Sequence, residues 1–340
     1  MASKPNLVQW MLDTRPWFPE ATQTKHLETH AQASRALALL PEPERAAVLR
    51  YYHVRDAKMA LASALLKRYC IARLSPSKPP WSSITLTRDS HTKPVWVDPA
   101  TGARPVSFNL SHQAGIVALV AVADYHPVPV SSSSEGNEER RGPGKEATVE
   151  VGVDIVCTSE RRPRDHAMVR SEGWPAFVDM HADVFAPGEV SYLKHRVLSA
   201  VPGLVTSSPP STEQVTDAKL RAFYALWALR EAYIKLTGEA LLAEWLRDLE
   251  FRDFRPPRPT PAWEVPAKED ASEVVGTPEI RFRGEKVEGV NICLRSMGPD
   301  FMIATAVRTP GNRDDGLGWR LSGPYEVLSL EEVLDFAESR

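Results

Sequence analysis

One tract limits what this chain can fold into before any other residue is weighed. Between Pro127 and Lys145 runs Ser-Ser-Ser-Ser-Glu-Gly-Asn-Glu-Glu-Arg-Arg-Gly-Pro-Gly, a composition with too little apolar surface to offset the entropy of ordering it. Residues 127–147 are therefore expected to be a disordered insertion, and the core must be assembled from the residues on either side. Both sides mix helix and strand signals. Residues 24–40 and 43–74 carry Ala, Leu, Arg and Lys at helical spacing, interrupted by Pro41 and Pro43. Ile84 to Thr87 and Val95 to Val97 are β-rich around a polar turn at Asp89 to Thr92. Val106 to Leu110 and Ile116 to Ala123 read as strands, with Ser111-His112-Gln113-Ala114-Gly115 as the connection between them. Beyond the insertion, the pattern predicts a strand over Thr148 to Val156, a helix from about Asp217 to Thr237 capped by Gly238, and strands across Val274 to Val307. Polar or Pro-rich stretches at 199–216 and 255–273 read as surface excursions. The class is α+β rather than a doubly wound parallel sheet, and no internal sequence repeat is evident.

Composition removes several functional classes. With 41 Lys plus Arg against 44 Asp plus Glu, no overall field steers the protein to nucleic acid or to an anionic membrane. Cys70, Cys157 and Cys293 are few, odd in number and far apart, which fits a reducing compartment. The first residues lack the apolar core of a secretory signal, and the longest apolar stretch, Ile116 to Ala123, is far short of the roughly 20 residues that span a bilayer. A cytoplasmic location follows, and the sequon at Asn109 carries no meaning there. The common nucleotide-binding and zinc motifs are absent.

Two segments concentrate chemistry. In Val149-Glu-Val-Gly-Val-Asp-Ile-Val156, period two puts Val149, Val151, Val153 and Ile155 on one face and Glu150, Gly152, Asp154 and Val156 on the other. An acid in such a run is costly unless it is paired, binds a metal or reaches water, and Gly152 leaves space in which a ligand can approach. Asp154 is a candidate metal ligand; an Asp on the wet face of an antiparallel strand is the ordinary alternative. In the long helix, Phe223, Trp227, Glu231 and Lys235 share one stripe. Glu231 and Lys235 can divide a metal and a phosphate between them, or form a simple surface ion pair. Ser111, His112 and Gln113 offer a hydroxyl, an imidazole and an amide suited to phosphate oxygens. Arg55-Asp56-Ala57-Lys58, Arg88 and Lys93 add cations in separate segments.

Taken together, Gly152-Val153-Asp154 and Trp227-Ala-Leu-Arg-Glu231-Ala-Tyr-Ile-Lys235 resemble the signature pair of the 4'-phosphopantetheinyl transferases. Arg55-Asp-Ala-Lys58, Arg88 with Thr92-Lys93-Pro94, Phe108-Asn-Leu-Ser-His-Gln113 and Phe185-Ala-Pro-Gly-Glu189 are similar to further segments of the surfactin-synthetase-activating type. The resemblance covers roughly residues 45–250, and the low-complexity inserts point to a filamentous-fungal member. The fold it implies is a pseudo-dimer of two similar α/β subdomains in one chain, 1–150 and 151–340, with coenzyme A in the cleft between them and a magnesium site in the second.

The resemblance also implies roles. Asp154 and Glu231 match the acids that bind Mg2+, hard oxygen donors of the kind that ion prefers. Lys235 matches the lysine beside the phosphates. Arg55, Arg88, Lys93, Ser111 and His112 match positions that hold coenzyme A phosphates. Bacterial members often carry a second acid two residues after the first; Val156 stands there, and Gln113 or a water is the candidate third ligand. The implied reaction is attack of a carrier-protein serine on the β-phosphate of coenzyme A, with Glu231 as general base and Lys235 assisting the leaving group. The implied partners are apo acyl and peptidyl carrier proteins, and the internal pseudo-symmetry implies a monomer. A catalytically silent coenzyme A or carrier-binding module is the competing reading.

Overall fold

A computed structural model describes residues 6–125, 149–200, 209–239, 244–261, 274–275, 278–309 and 317–340. The insertion expected at 127–147 lies outside the described residues, as do 201–208 and 262–273 of the two later excursions. In chain order the elements are β1 (Asn6–Asp13), α1 (Ala31–Ala38), α2 (Glu42–Leu49), α3 (Val54–Leu74), β2 (Thr87–Arg88), β3 (Pro94–Val95), β4 (Val106–Gln113), β5 (Ile116–Ala123) and β6 (Glu150–Cys157). There follow α4 (Arg162–Glu172), α5 (Trp174–Asp179), α6 (Pro187–His195), α7 (Thr212–Thr237), β7 (Leu249–Arg252), β8 (Val274–Val275), β9 (Glu279–Phe282) and β10 (Glu285–Lys286). The chain continues with β11 (Val290–Met297), β12 (Phe301–Arg308), α8 (Leu317–Arg320), β13 (Glu326–Leu328) and α9 (Leu330–Glu338). No helix among the described residues is long and apolar enough to cross a membrane.

Contacts divide the chain into unit 1, Met1–Val151 with Val307–Arg340, and unit 2, Gly152–Ala306. In unit 1 the sheet order is β13-β1-β5-β4, with β5 antiparallel to both neighbours and β13 parallel to β1. The Ala- and Leu-rich face of α3 packs across β4 and β5 and buries Leu61, Leu65 and Tyr69. The expected division would place residues 307–340 with the second half. They instead complete unit 1: Leu328, Val333, Leu334 and Ala337 join its core, and Arg35 of α1 ties down α9 through Asp335 at 2.7 Å and Glu338 at 2.6 Å.

Local chemistry explains where expected and observed elements differ. The helix expected over 24–40 splits into a short 3-10 turn, Thr24–Glu28, and α1. That expected over 43–74 splits into α2 and α3, with Pro41 and Pro43 opening α2 as prolines do in a first turn. The connection expected at 111–115 shrinks to Ala114 and Gly115, which take φ of 49° and 89° and close a two-residue hairpin. Ser111, His112 and Gln113 are therefore strand residues opposite Ala118, Val117 and Ile116.

Unit 2 holds the sheets β6-β12-β11-β8 and β10-β9-β7, with α7 packed on β11. The start of α7 lies at Thr212, inside the expected excursion 199–216. Ser211 accepts from Gln214 N at 3.2 Å and Gln214 Oε1 accepts from Ser211 N at 2.8 Å, a reciprocal cap that nucleates the helix before its apolar pattern begins. Its end falls at Gly238, with φ of 81°, as expected. One topology occurs in both units. A first strand leads through helices to a long helix, then to two eight-residue strands, the later of which inserts beside the first: β1-β5-β4 and β6-β12-β11. The repeat lies in topology and not in residues, so the sequence shows no self-similarity.

Candidate active site

The site in unit 2 is assembled by a glycine. Gly152 shares a face of β6 with Asp154 and Val156. A Cβ at residue 152 would stand 2.1 Å from the Ala232 carbonyl oxygen and 2.6 Å from Leu236 N. The space that looked open to a ligand is thus filled by the backbone of α7. Val151 to Cys157 are buried without exception, so the strand has no wet face, and Asp154 is only 6% exposed. Beside Ala232 and Leu236 on the helix stand Glu231 and Lys235, which the close packing carries up to Asp154.

Lys235 Nζ donates to Asp154 Oδ1 at 2.6 Å. The lysine is thus paired across the strand–helix junction rather than with Glu231 one turn earlier, and the surface-pair reading does not hold. Burial, and next the negative charge of Asp154, push the Glu231 carboxyl up to about 7, with Lys235 pulling back. Among the described residues, no hydrogen bond or ion pair engages the Glu231 side chain. The aromatic end of the stripe is held separately. Phe223 and Trp227 have centroids 6.0 Å apart and meet Phe185 at 5.4 and 6.2 Å.

Next to Glu231, Arg230 points the other way into the core. It pairs with Glu189, both side chains 1% exposed, and donates to the Leu246 and Leu249 carbonyls at 2.6 and 2.9 Å. Glu189 in turn accepts from Ala186 N and Phe251 N, each at 2.8 Å. The pair locks α7 to the start of α6 and to β7, which fixes the rotation that aims Glu231 at Asp154. Sequence reasoning quoted Phe185 to Glu189 only as a family match; the buried partner of Glu189 carries no spacing signal. Glu189→Ala is expected to cost about 3–5 kcal/mol, because it strands a buried guanidinium, and urea unfolding measures it.

Unit 1 carries the remaining candidates. Arg88 and Lys93 stand at one hairpin, where Arg88 Nη1 donates to the Thr92 carbonyl at 2.6 Å and Lys93 N to Asp89 Oδ1 at 3.0 Å. Burial holds the Lys93 ammonium below its ordinary value, with Glu150 and Asp89 opposing. Strand alternation separates the Ser111 cluster: Ser111 and Gln113 share one face of β4 and His112 the other, with Ser111 buried and His112 exposed. Arg55, in the first turn of α3, is 70% exposed and lines a pocket of about 730 Å³ together with Lys25, Arg50, Tyr51, Tyr52 and His53. Lys25 escaped sequence reasoning because it comes from a distant segment, whereas Arg50 and the two tyrosines directly precede Arg55 and were passed over because no periodicity or motif singles them out. Lys58 of the same motif is not part of this pocket; it is buried and donates to the Trp17 carbonyl.

No group of three or more His, Cys, Asp or Glu side chains suited to a metal comes together among the described residues. Asp154 and Glu231 are nevertheless a fitting donor set for a hard divalent ion. Both offer oxygen donors, and a half-buried carboxyl pushed up to about 7 beside a second acid is relieved by added positive charge. Mg2+ typically takes one or two carboxylates and completes its shell with phosphate oxygens and water.

Comparison with known proteins identifies the family. Residues 27–124 match a family model described as 4'-phosphopantetheinyl transferase, N-terminal, and residues 150–277 match the 4'-phosphopantetheinyl transferase superfamily. The chain is 47% identical to 4'-phosphopantetheinyl transferase 1 of Fusarium mangiferae, over 99% of this chain and 97% of that one. It is 32% identical to 4'-phosphopantetheinyl transferase NpgA of Emericella nidulans, over 98% and 93%. It is also 26% identical, over 59% and 60%, to the L-aminoadipate-semialdehyde dehydrogenase-phosphopantetheinyl transferase of Schizosaccharomyces pombe. The two family matches and the near-complete overlap with the fungal relatives establish the identity: the chain belongs to the 4'-phosphopantetheinyl transferases and is an enzyme.

Proposed function

We propose that this enzyme moves the 4'-phosphopantetheine group of coenzyme A onto a serine of apo acyl and peptidyl carrier proteins, using the acids at the β6–α7 junction. The observation that carries the reading is the convergence of Asp154, Glu231 and Lys235 on one partly buried junction. Asp154 and Glu231 would hold Mg2+, which supplies positive charge for the diphosphate. The value near 7 belongs to Glu231 without a cation; added positive charge lowers it, so Glu231 enters the reaction ionised and able to take a proton.

In the proposed step, the serine oxygen bonds to the β-phosphorus of coenzyme A and its proton passes to Glu231. The bond from that phosphorus to the bridging oxygen breaks, and adenosine 3',5'-bisphosphate leaves with the electron pair. Lys235 stabilises the charge that develops on the departing phosphate. Family membership carries further proposals: Gln113 as a third ligand, and Arg55, Arg88, Lys93, Ser111 and His112 on coenzyme A phosphates. The pocket around Arg55 suits the phosphorylated nucleoside end, since Lys25, Arg50 and Arg55 meet a phosphate while Tyr51 and Tyr52 offer rings for a base. Carriers of fatty acid, polyketide and nonribosomal peptide synthases and of aminoadipate reductase are the proposed partners, met in the cytoplasm by a monomer.

The test is incubation with coenzyme A, magnesium and each apo carrier, read by intact mass. A gain of one phosphopantetheine on the carrier is expected. A silent binding module leaves the carrier unchanged, and a coenzyme A hydrolase releases the bisphosphate with no carrier present.

A further inference from the structure

The 2.6 Å contact between Lys235 Nζ and Asp154 Oδ1 puts an ammonium on a carboxylate that the proposed function assigns to a divalent cation. The contact is protected, with the Asp154 side chain 9% and the Lys235 side chain 29% exposed. It also crosses between elements, because Lys235 reaches from α7 to β6 while Glu231, a turn away on the same helix, lies outside ion-pair reach of it. The lysine has therefore chosen the deeper of the two acids.

We infer that Lys235 is the built-in counter-ion of this site, competing with the divalent cation for Asp154 and leaving that carboxylate when the cation binds. The inference rests on the reading of Asp154 and Glu231 as cation ligands. Pairing with the ammonium gives the buried Asp154 carboxylate a charged partner in the absence of metal. A divalent ion needs the same carboxylate at about 2.1 Å, and like charges so close in a partly desolvated site repel strongly. The ammonium moves, and the flexible four-carbon stem of lysine permits this without moving α7. The cation's arrival and the lysine's release become one event. The group that assists the leaving phosphate is then held back from an anion until the cation is in place. The affinity for the bare cation is correspondingly lowered, by the work of displacing the lysine.

The experiment measures Mn2+ binding to the whole chain without coenzyme A, by the loss of the free-ion electron paramagnetic resonance signal. Lys235→Met removes the charge and keeps the stem, and the partial exposure of the side chain leaves the fold able to accept it. Lys235→Gln serves as a second uncharged variant, and Lys235→Arg keeps the charge. Both uncharged variants are expected to bind Mn2+ about tenfold more tightly than wild type, with Lys235→Arg close to wild type. The gain should vanish when Asp154→Asn is added to Lys235→Met. Equal or weaker binding by the uncharged variants overturns the inference while leaving the proposed function standing. If Asp154→Asn alone leaves Mn2+ binding unchanged, the cation does not use this acid, and both the inference and the metal assignment fall together.

Discussion

Replacing Glu231 with glutamine is expected to lower the rate of carrier loading by at least about a thousandfold, with much of the coenzyme A affinity retained. The substitution keeps the size of the side chain, so β6 and α7 stay packed, but it removes both an oxygen anion and the proton acceptor. Single-turnover loading, beside isothermal titration with coenzyme A, separates the two effects, and an unchanged rate would take Glu231 out of the mechanism. The same variant carries a stability signature in metal-free protein. The folded carboxyl sits near 7 against an ordinary glutamate value of 4.5, so its ionisation works against folding. The penalty is absent below about pH 4.5, grows as pH rises toward 7 and is constant above that. Wild type should therefore lose thermal stability relative to Glu231→Gln across that window, and identical melting profiles at pH 4 and pH 8 would contradict the burial of the acid.

Gly152→Ala is expected to be the most damaging single methyl in unit 2. The added Cβ would lie 2.1 Å from the Ala232 carbonyl oxygen and 2.6 Å from Leu236 N. These are backbone atoms inside a helix, so no side-chain rotation relieves the overlap and α7 must back away from β6. Overpacking of this kind costs about 3 kcal/mol, which a shift in the urea midpoint reports. The catalytic loss should exceed what unfolding explains. Displacing α7 by even an ångström opens the 2.6 Å Lys235–Asp154 contact and misplaces Glu231, a change worth about a hundredfold in rate. Assays well below the melting temperature distinguish the two. A variant that is less stable yet fully active would show that the site does not depend on this close approach.

The contrast between these positions shows what the sequence made legible. Periodicity placed Asp154 on β6 and put Glu231 and Lys235 one turn apart on a helix ending at Gly238, because strand and helix repeats are local properties. It left the purpose of Gly152 misread, since a missing side chain looks alike whether ligand or backbone fills the gap. The cap at Ser211 was hidden by its polar surroundings, which read as an excursion. The hairpin at Ala114-Gly115 was placed too widely because polar Ser111, His112 and Gln113 resemble loop residues, although β5 pairs with them in register. The Arg230–Glu189 pair could not be read at all, as its members are 41 positions apart and their partners are mostly backbone.

The split composition of unit 1 also orders events during synthesis. Gly152–Ala306 is one continuous stretch, whereas unit 1 requires residues from both sides of it. A ribosome therefore delivers all of unit 2 before β13 and α9 emerge. Until then, one edge of β1 stands uncovered and the core lacks Leu328, Leu330, Val333, Leu334 and Ala337. The usual order, in which the leading portion of a nascent protein matures first, cannot run to completion here, because the N-terminal portion keeps an open sheet edge until the last elements are made.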